Sequence, residues 1–138
     1  EGYFDDKQNK VLPQEYIVPE TMKVCVDDIL ITRAGPMNRT GVVCRVGKVD
    51  YNLILSDKTV RINLTREYVC RDFIVAVINS PQIRRTVIDL MSGMDKQQVN
   101  ISQDKIKSIA IPLPPLAEQK RIVAKLELML PYCDQLIK

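Results

Sequence analysis

The sequence predicts an α+β fold: a small twisted antiparallel sheet with packed helices, followed by a C-terminal helix that projects from them. Three observations carry this. Between residues 29 and 63, short runs rich in β-branched residues alternate with turn chemistry. Between 72 and 92, apolar residues recur at helical spacing, punctuated by Asp, Ser-Pro and Gly. After Pro112, Pro114 and Pro115, an unbroken helical pattern opens at Leu116.

The strands come first in the argument. Residues 1–23 are polar, rich in turn formers and aperiodic, with a short strand expected only near Tyr16–Val18. KVCVDDILIT follows, and its Ile29–Thr32 run suits a buried strand. RAGPMNRT at 33–40 is turn chemistry, and GVVCRV then resumes strand character, so two antiparallel strands are expected around a loop of about eight residues. A second hairpin is expected in YNLILSDKTVRIN, where Ser56-Asp57-Lys58 turns between Asn52–Leu55 and Thr59–Asn63.

Helices follow. Asp72 is placed to cap DFIVAVIN, whose Phe73, Ile74, Val77 and Ile78 share one face. Ser80-Pro81 reads as a cap with proline at the first helical position, opening PQIRRTVIDLMSG, which carries Ile83, Val87, Leu90 and Met91 and stops at Gly93. Residues 94–104 read as a polar link, and KSIAIPL as one last short strand. In the final segment Leu116, Val123, Leu126, Leu130, Cys133 and Ile137 form a heptad seam whose one gap holds Gln119. That stripe suits either a partner helix in a coiled coil or the domain's own core. Pro131 is expected to kink or interrupt it.

Composition narrows the function. At 138 residues, with 46% apolar and 27% charged content, there is material for one domain that buries roughly 70% of its unfolded surface. Opening on Glu1 rather than Met, the sequence reads as part of a longer or processed chain. No apolar run nears the ~18 residues that span a bilayer, and no secretory leader is expected, so no membrane role is. The four cysteines form no C-x-x-C pair and there is no His, which excludes zinc sites of the usual spacing. Reduced structural cysteines and a cytoplasmic setting fit best. Lacking His, the chain also lacks the commonest general base and the usual partner of a Ser or Cys nucleophile. No catalytic residue, metal ligand or cofactor is therefore assigned. Asp27-Asp28, without a further carboxylate nearby, reads as a turn. Residues 1–28 hold seven acids and three bases, and the remainder ten acids and seventeen bases. A basic body of this kind suits a polyanionic partner.

Several stretches together resemble the specificity subunits of type I restriction–modification systems. NISQDKIKSIAIPLPPLAEQKRIVAKLE is similar to the segment that follows a target recognition domain there: Asn100-Ile101-Ser102, then Ile111-Pro112-Leu113-Pro114-Pro115-Leu116, then Glu118-Gln119 match in order and spacing. DDILITRAGPMNRTGVV resembles that family's strand–loop–strand, and the helix pair bearing Asn79-Ser80-Pro81 also fits. The resemblance implies sequence-specific recognition of double-stranded DNA without catalysis. Methylation of adenine and cleavage then reside in modification and restriction subunits that the specificity subunit holds at the site. It further implies that residues 1–115 are the later part of a target recognition domain and that 116–138 begin a conserved spacer helix. That helix, through Val123, Leu126, Leu130 and Ile137, would pack on a partner helix or a second copy. Tyr51-Asn52 lacks the prolines of an adenine methyltransferase motif and no glycine-rich cofactor loop supports it, so methyltransferase activity is not assigned.

The DNA-contact candidates rest on side-chain chemistry. Arg33, Asn38, Arg39 and Thr40 sit on the 33–40 loop, where Gly35 and Gly41 let the backbone approach closely. Arg suits guanine and Asn suits adenine in the major groove, while phosphate contact alone, or a solvated hairpin tip, is the plainer alternative. Lys96 suits a phosphate, and Gln97 is the second amide candidate. Gln98 and Asn100 read as structural, bonding the turn backbone. Arg84-Arg85 read as a solvated helix face. The competing functional class is a non-catalytic interaction or scaffold module acting through the C-terminal helix.

Overall fold

The computed structural model describes residues 3–65 and 67–136. The fold is α+β, with its strands divided between two three-stranded antiparallel sheets rather than gathered in one. The larger orders β3 (Val43–Arg45), β1 (Ile29–Thr32) and β4 (Thr59–Ile62), with β1 in the middle. Central position explains the sequence of β1: Ile29, Leu30 and Ile31 are all buried, so both faces are apolar and no alternation survives. β4 does alternate. Val60 and Ile62 pack toward the core, while Arg61 turns away to donate to the carbonyls of Thr21 and Lys23 and pair with Asp28. Its Nε lies 2.9 Å from the Asp28 carboxylate, outside hydrogen-bond alignment.

β4 pairs with β1, not with residues 52–55. Those residues run instead beside the N-terminal segment, where Val24 N–H donates to the Leu53 carbonyl and Leu55 N–H to that of Met22. The expected hairpin thus opens into two pairings, because β1 needs a partner on each edge and only Val60 and Ile62 deliver apolar groups to its core face. No strand forms at Tyr16–Val18. The nearest regular element is a 3₁₀ turn at Glu20–Met22. Asp27 and Asp28 do form a turn. Asp27 holds a left-handed φ of 73°, Asp28 accepts from Cys25 N–H at 2.9 Å, and each carboxylate pairs with an arginine.

α1 (Arg71–Ile78) lays Phe73, Ile74 and Ile78 against Ile29, Ile31 and Val43. It begins earlier than expected, with Cys70 as its N-cap, and Asp72 instead accepts two hydrogen bonds from Arg45 of β3, whose other two go to Asp27. That exposed ion pair adds little stability but links sheet to helix. α2 (Pro81–Asp89) starts at proline as expected and ends four residues short of Gly93. Residues 92–95 and 98–100 are strands, β5 (Ser92–Asp95) and β6 (Gln98–Asn100), which form a hairpin through Lys96-Gln97. With β2 (Ala34–Gly35) they make the second sheet, in the order β2-β6-β5. α3 (Gln103–Lys107), capped by the Ser102 hydroxyl, replaces the start of the expected last strand, and residues 109–115 form an irregular strap. α4 (Leu116–Leu136) runs through Pro131 without interruption.

Between α1 and α2 stands Asn79. Its side-chain amide donates to the Val43 carbonyl at 2.7 Å and accepts from Val43 N–H at 3.0 Å. The side chain therefore acts as one residue of a missing strand and closes the outer edge of β3. Asn79→Ala should remove about 1–3 kcal/mol of stability by leaving both Val43 groups without partners. Urea unfolding should show a lower midpoint at unchanged slope, and a midpoint equal to wild type would mean water replaces the amide at no cost.

Candidate nucleic-acid interface

The second sheet is built from the two segments that carry the DNA-contact candidates. Arg33 stands at the break between β1 and β2. Its N–H donates to the Lys58 carbonyl at 2.7 Å and its carbonyl accepts from Ile101 N–H at 2.8 Å. Beyond it Gly35 faces Val99 across β2–β6, and Met37 N–H donates to the Lys96 carbonyl at 2.8 Å. Residues about sixty apart in sequence are thereby joined edge to edge. Between them lies an open groove of about 590 Å³, lined by Pro36, Met37, Asn38, Arg84, Ile88, Lys96 and Gln97.

The loop on one side of this groove has a defined shape. The Pro36 carbonyl accepts from both Arg39 and Thr40 N–H at 2.9 Å, and Gly41 N–H donates to Thr32 at 2.6 Å. Gly41 holds φ 76°, and a side chain there would run into Val87 of α2. Arg84 of α2 donates to the carbonyls of Met37 and Thr40. Burial lowers the affinity of that guanidinium for its proton.

The candidates separate on this frame. Asn38 and Arg39 are exposed, and their side chains make no hydrogen bond among the described residues. Lys96 and Gln97 are exposed at the hairpin tip, where Gln97 N–H donates to Asp95 at 3.1 Å. Arg33 is half-buried, its Nε enclosed without a partner. Thr40 differs from the others: it is 0% exposed with its hydroxyl enclosed, so its side chain is not presented to any partner in this structure. Asn100 accepts from the Ser92 hydroxyl at 3.1 Å, tying β6 to β5, and Gln98 is exposed. Arg85 is exposed as expected, but Arg84 is not the solvated charge that its neighbour is. The signal was helical spacing, since Arg84 lies three residues before the fully buried Val87 and hence on the same face.

At the other end of the domain, α4 leaves from a second polar joint. Gln119 is 0% exposed. Its Oε1 accepts from Cys70 N–H at 2.8 Å, and its Nε2 donates to the carbonyls of Tyr68 at 3.0 Å and Pro114 at 2.7 Å. Val123 and Ile122 are half-buried against the core, whereas Leu126 and Leu130 are exposed together with Leu128, Met129 and Tyr132. Ile137 lies outside the described residues. The stripe is thus divided: its first turns dock on the domain and its later turns present apolar groups to solvent. Among the described residues, no group of His, Cys, Asp and Glu is placed to hold a metal ion, and no helix is long and apolar enough to cross a membrane.

Residues 85–138 match the family described as the type I restriction modification DNA specificity domain. That segment belongs to the family. Similar proteins include the type I restriction enzyme EcoEI specificity subunit of Escherichia coli, 36% identical over 133 residues, which are 96% of this chain and 22% of that protein. The EcoKI specificity subunit of Escherichia coli strain K12 is 32% identical over 113 residues, 80% of this chain and 24% of the relative. The EcoBI specificity subunit of Escherichia coli is 26% identical over 116 residues, 84% of this chain and 23% of the relative. The chain therefore spans about a quarter of the length of the specificity subunits it matches.

Membership places weight on the joint at Gln119, because the family match begins in α2 and runs along α4. Gln119→Leu keeps the volume and strands one N–H and two carbonyls. We expect a loss of roughly 2–4 kcal/mol in denaturant unfolding, and faster amide exchange at Cys70. Wild-type stability in this variant would show that the helix is held by its apolar contacts alone.

Proposed function

We propose that this chain is the DNA-reading part of a type I specificity subunit and that it is not an enzyme. The observation that carries this is the groove itself. Two segments remote in sequence converge on it with Asn38, Lys96 and Gln97 exposed around a wall of Pro36, Met37 and Ile88, and the exposed Arg39 follows Asn38 in the same loop. Cations attract the phosphate backbone, free amides suit base edges, and apolar groups suit the thymine methyl. Double-stranded DNA is the ligand class in which all three are useful at once.

Residues 1–115 then form the later part of a target recognition domain, and α4 is the start of a spacer helix. Its exposed Leu126 and Leu130 favour packing on another helix, in a modification subunit, a second copy or another part of the same polypeptide. By that route the module positions modification subunits, and through them a restriction subunit, at the DNA site in the cytoplasm. The same exposed residues are what favour the second reading, a scaffold that works through α4 with no DNA contact.

The two readings separate in the full-length polypeptide carrying this chain. If DNA is read here, binding weakens steeply with salt. Replacing Arg33 and Arg39 together with Ala should then weaken binding to the preferred duplex about tenfold or more, and flatten the log–log salt dependence by about 0.9 for each of the two that meets a phosphate, with assembly intact. Leu126→Asp should weaken assembly and leave the salt slope alone. Normal DNA binding by the double arginine variant, with assembly lost in Leu126→Asp, would favour the scaffold.

A further inference from the structure

Arg84 was assigned to solvent from sequence, and the structure gives it a task that the family likeness does not. Its guanidinium reaches from α2 into the 36–40 loop and donates to the Met37 and Thr40 carbonyls, the two that bracket Asn38-Arg39. No backbone N–H among the described residues bonds either carbonyl. The remaining closure of the loop runs through the Pro36 carbonyl, through the Arg39 carbonyl, which accepts from Val42 N–H at 3.3 Å, and through Met37 N–H, which donates to Lys96 at the hairpin tip. Gly41, with no room for a side chain against Val87, brings the loop flush against α2 so that the guanidinium can span it. Thr40 is buried as a consequence.

We propose that Arg84 is a specificity-determining positioning residue: it holds the 36–40 loop in one shape, so that Asn38 and Arg39 meet base edges in register, and it does not itself anchor phosphate. The inference rests on the DNA-reading function proposed above. Its physical core is a difference in tolerance. Attraction to phosphate is long-ranged and survives a mobile loop, whereas a bidentate base contact fails when its donors wander. A planar guanidinium can bridge two carbonyls. An ammonium gathers its three donors on one atom at the end of a flexible stem, so it cannot hold two spaced carbonyls in the fixed geometry of a fork, yet it serves a phosphate just as well.

That contrast makes Arg84→Lys the decisive variant. The full-length polypeptide first selects a consensus from a random-sequence duplex library. Binding of wild type, Arg84→Lys and Arg84→Met to the consensus and to a scrambled duplex is then followed against KCl. We expect the ratio of consensus to scrambled affinity to fall about tenfold or more in both variants. The salt slope on the scrambled duplex should stay at the wild-type value, and amide exchange at Arg39 and Thr40 should quicken in the free protein. A phosphate anchor would give a different pattern, with Arg84→Lys indistinguishable from wild type and Arg84→Met flattened in slope by about 0.9. That pattern overturns the inference, as does an unchanged ratio despite fast exchange. Failure of the DNA-reading function appears earlier, as a wild type that selects no consensus, and the two failures cannot be confused.

Discussion

Backbone groups that leave water must find partners, and in this domain regular sheet supplies too few of them. Neither sheet has more than three strands, and the chain between them is largely irregular. Besides Arg61, which serves the Thr21 and Lys23 carbonyls, three side chains reach across the fold and bond backbone as another strand would. Asn79 pairs both polar groups of Val43, Arg84 spans the carbonyls of Met37 and Thr40, and Gln119 joins Tyr68, Cys70 and Pro114. The two amides have the partners they need, so their burial stabilises rather than penalises, whereas the Arg84 guanidinium bears a desolvation cost beside its two carbonyls. Each also fixes a segment that hydrophobic contact alone would leave free to slide.

All three act on or from the helix pair α1–α2. Gln119 grips the N-terminal end of α1, Asn79 stands at its C-terminal end, and Arg84 extends from α2. The 36–40 loop and the departing helix α4 are consequently set against one frame. Arg33 adds a second tie, because its backbone bonds to Lys58 beside the core sheet and to Ile101 beyond the second sheet. Such a frame would serve the function proposed above, since an error of angle at α4 becomes a displacement at whatever the helix carries.

How much of this was legible follows from where apolar side chains dominate. β1, α1, the proline start of α2 and the onset of α4 are specified by buried residues at strand or helix spacing. β5 and β6 were not visible: only Val99 is buried in β6, and exposed polar residues such as Gln98 and Asn100 give no alternation. The 52–55 and 59–63 runs both have extended character, but pattern does not say which partner each takes. Among the site residues, chemistry alone selected Asn38, Lys96 and Gln97, which line one groove, and Arg39, exposed next to Asn38. It also selected Thr40, whose burial depends on the approach of α2, and passed over Arg84 and Gln119. Those two look like ordinary surface polar residues until the backbone groups they serve are known. Arg84 at least shares a helix face with Val87, and Gln119 occupies an apolar position of the heptad seam.

That last anomaly leads to the strap before α4. A glutamine in an apolar column usually weakens packing, but here the preceding prolines create the need for it. Pro112, Pro114 and Pro115 cannot donate to a sheet, so the strap stays out of strand pairing, and they discourage an early helix. Their carbonyls still require partners. The Pro115 carbonyl accepts from Glu118 and Gln119 N–H as the helix starts, and the Pro114 carbonyl accepts from the Gln119 side chain. Stiffness and clamp are thus complementary. The prolines remove the alternative paths, and one buried amide selects among what remains by holding the strap, the entry to α1 and the first turn of α4 at a single point. Beyond that point Leu126 and Leu130 are 36% and 56% exposed, so the helix leaves the joint with apolar groups available for a partner.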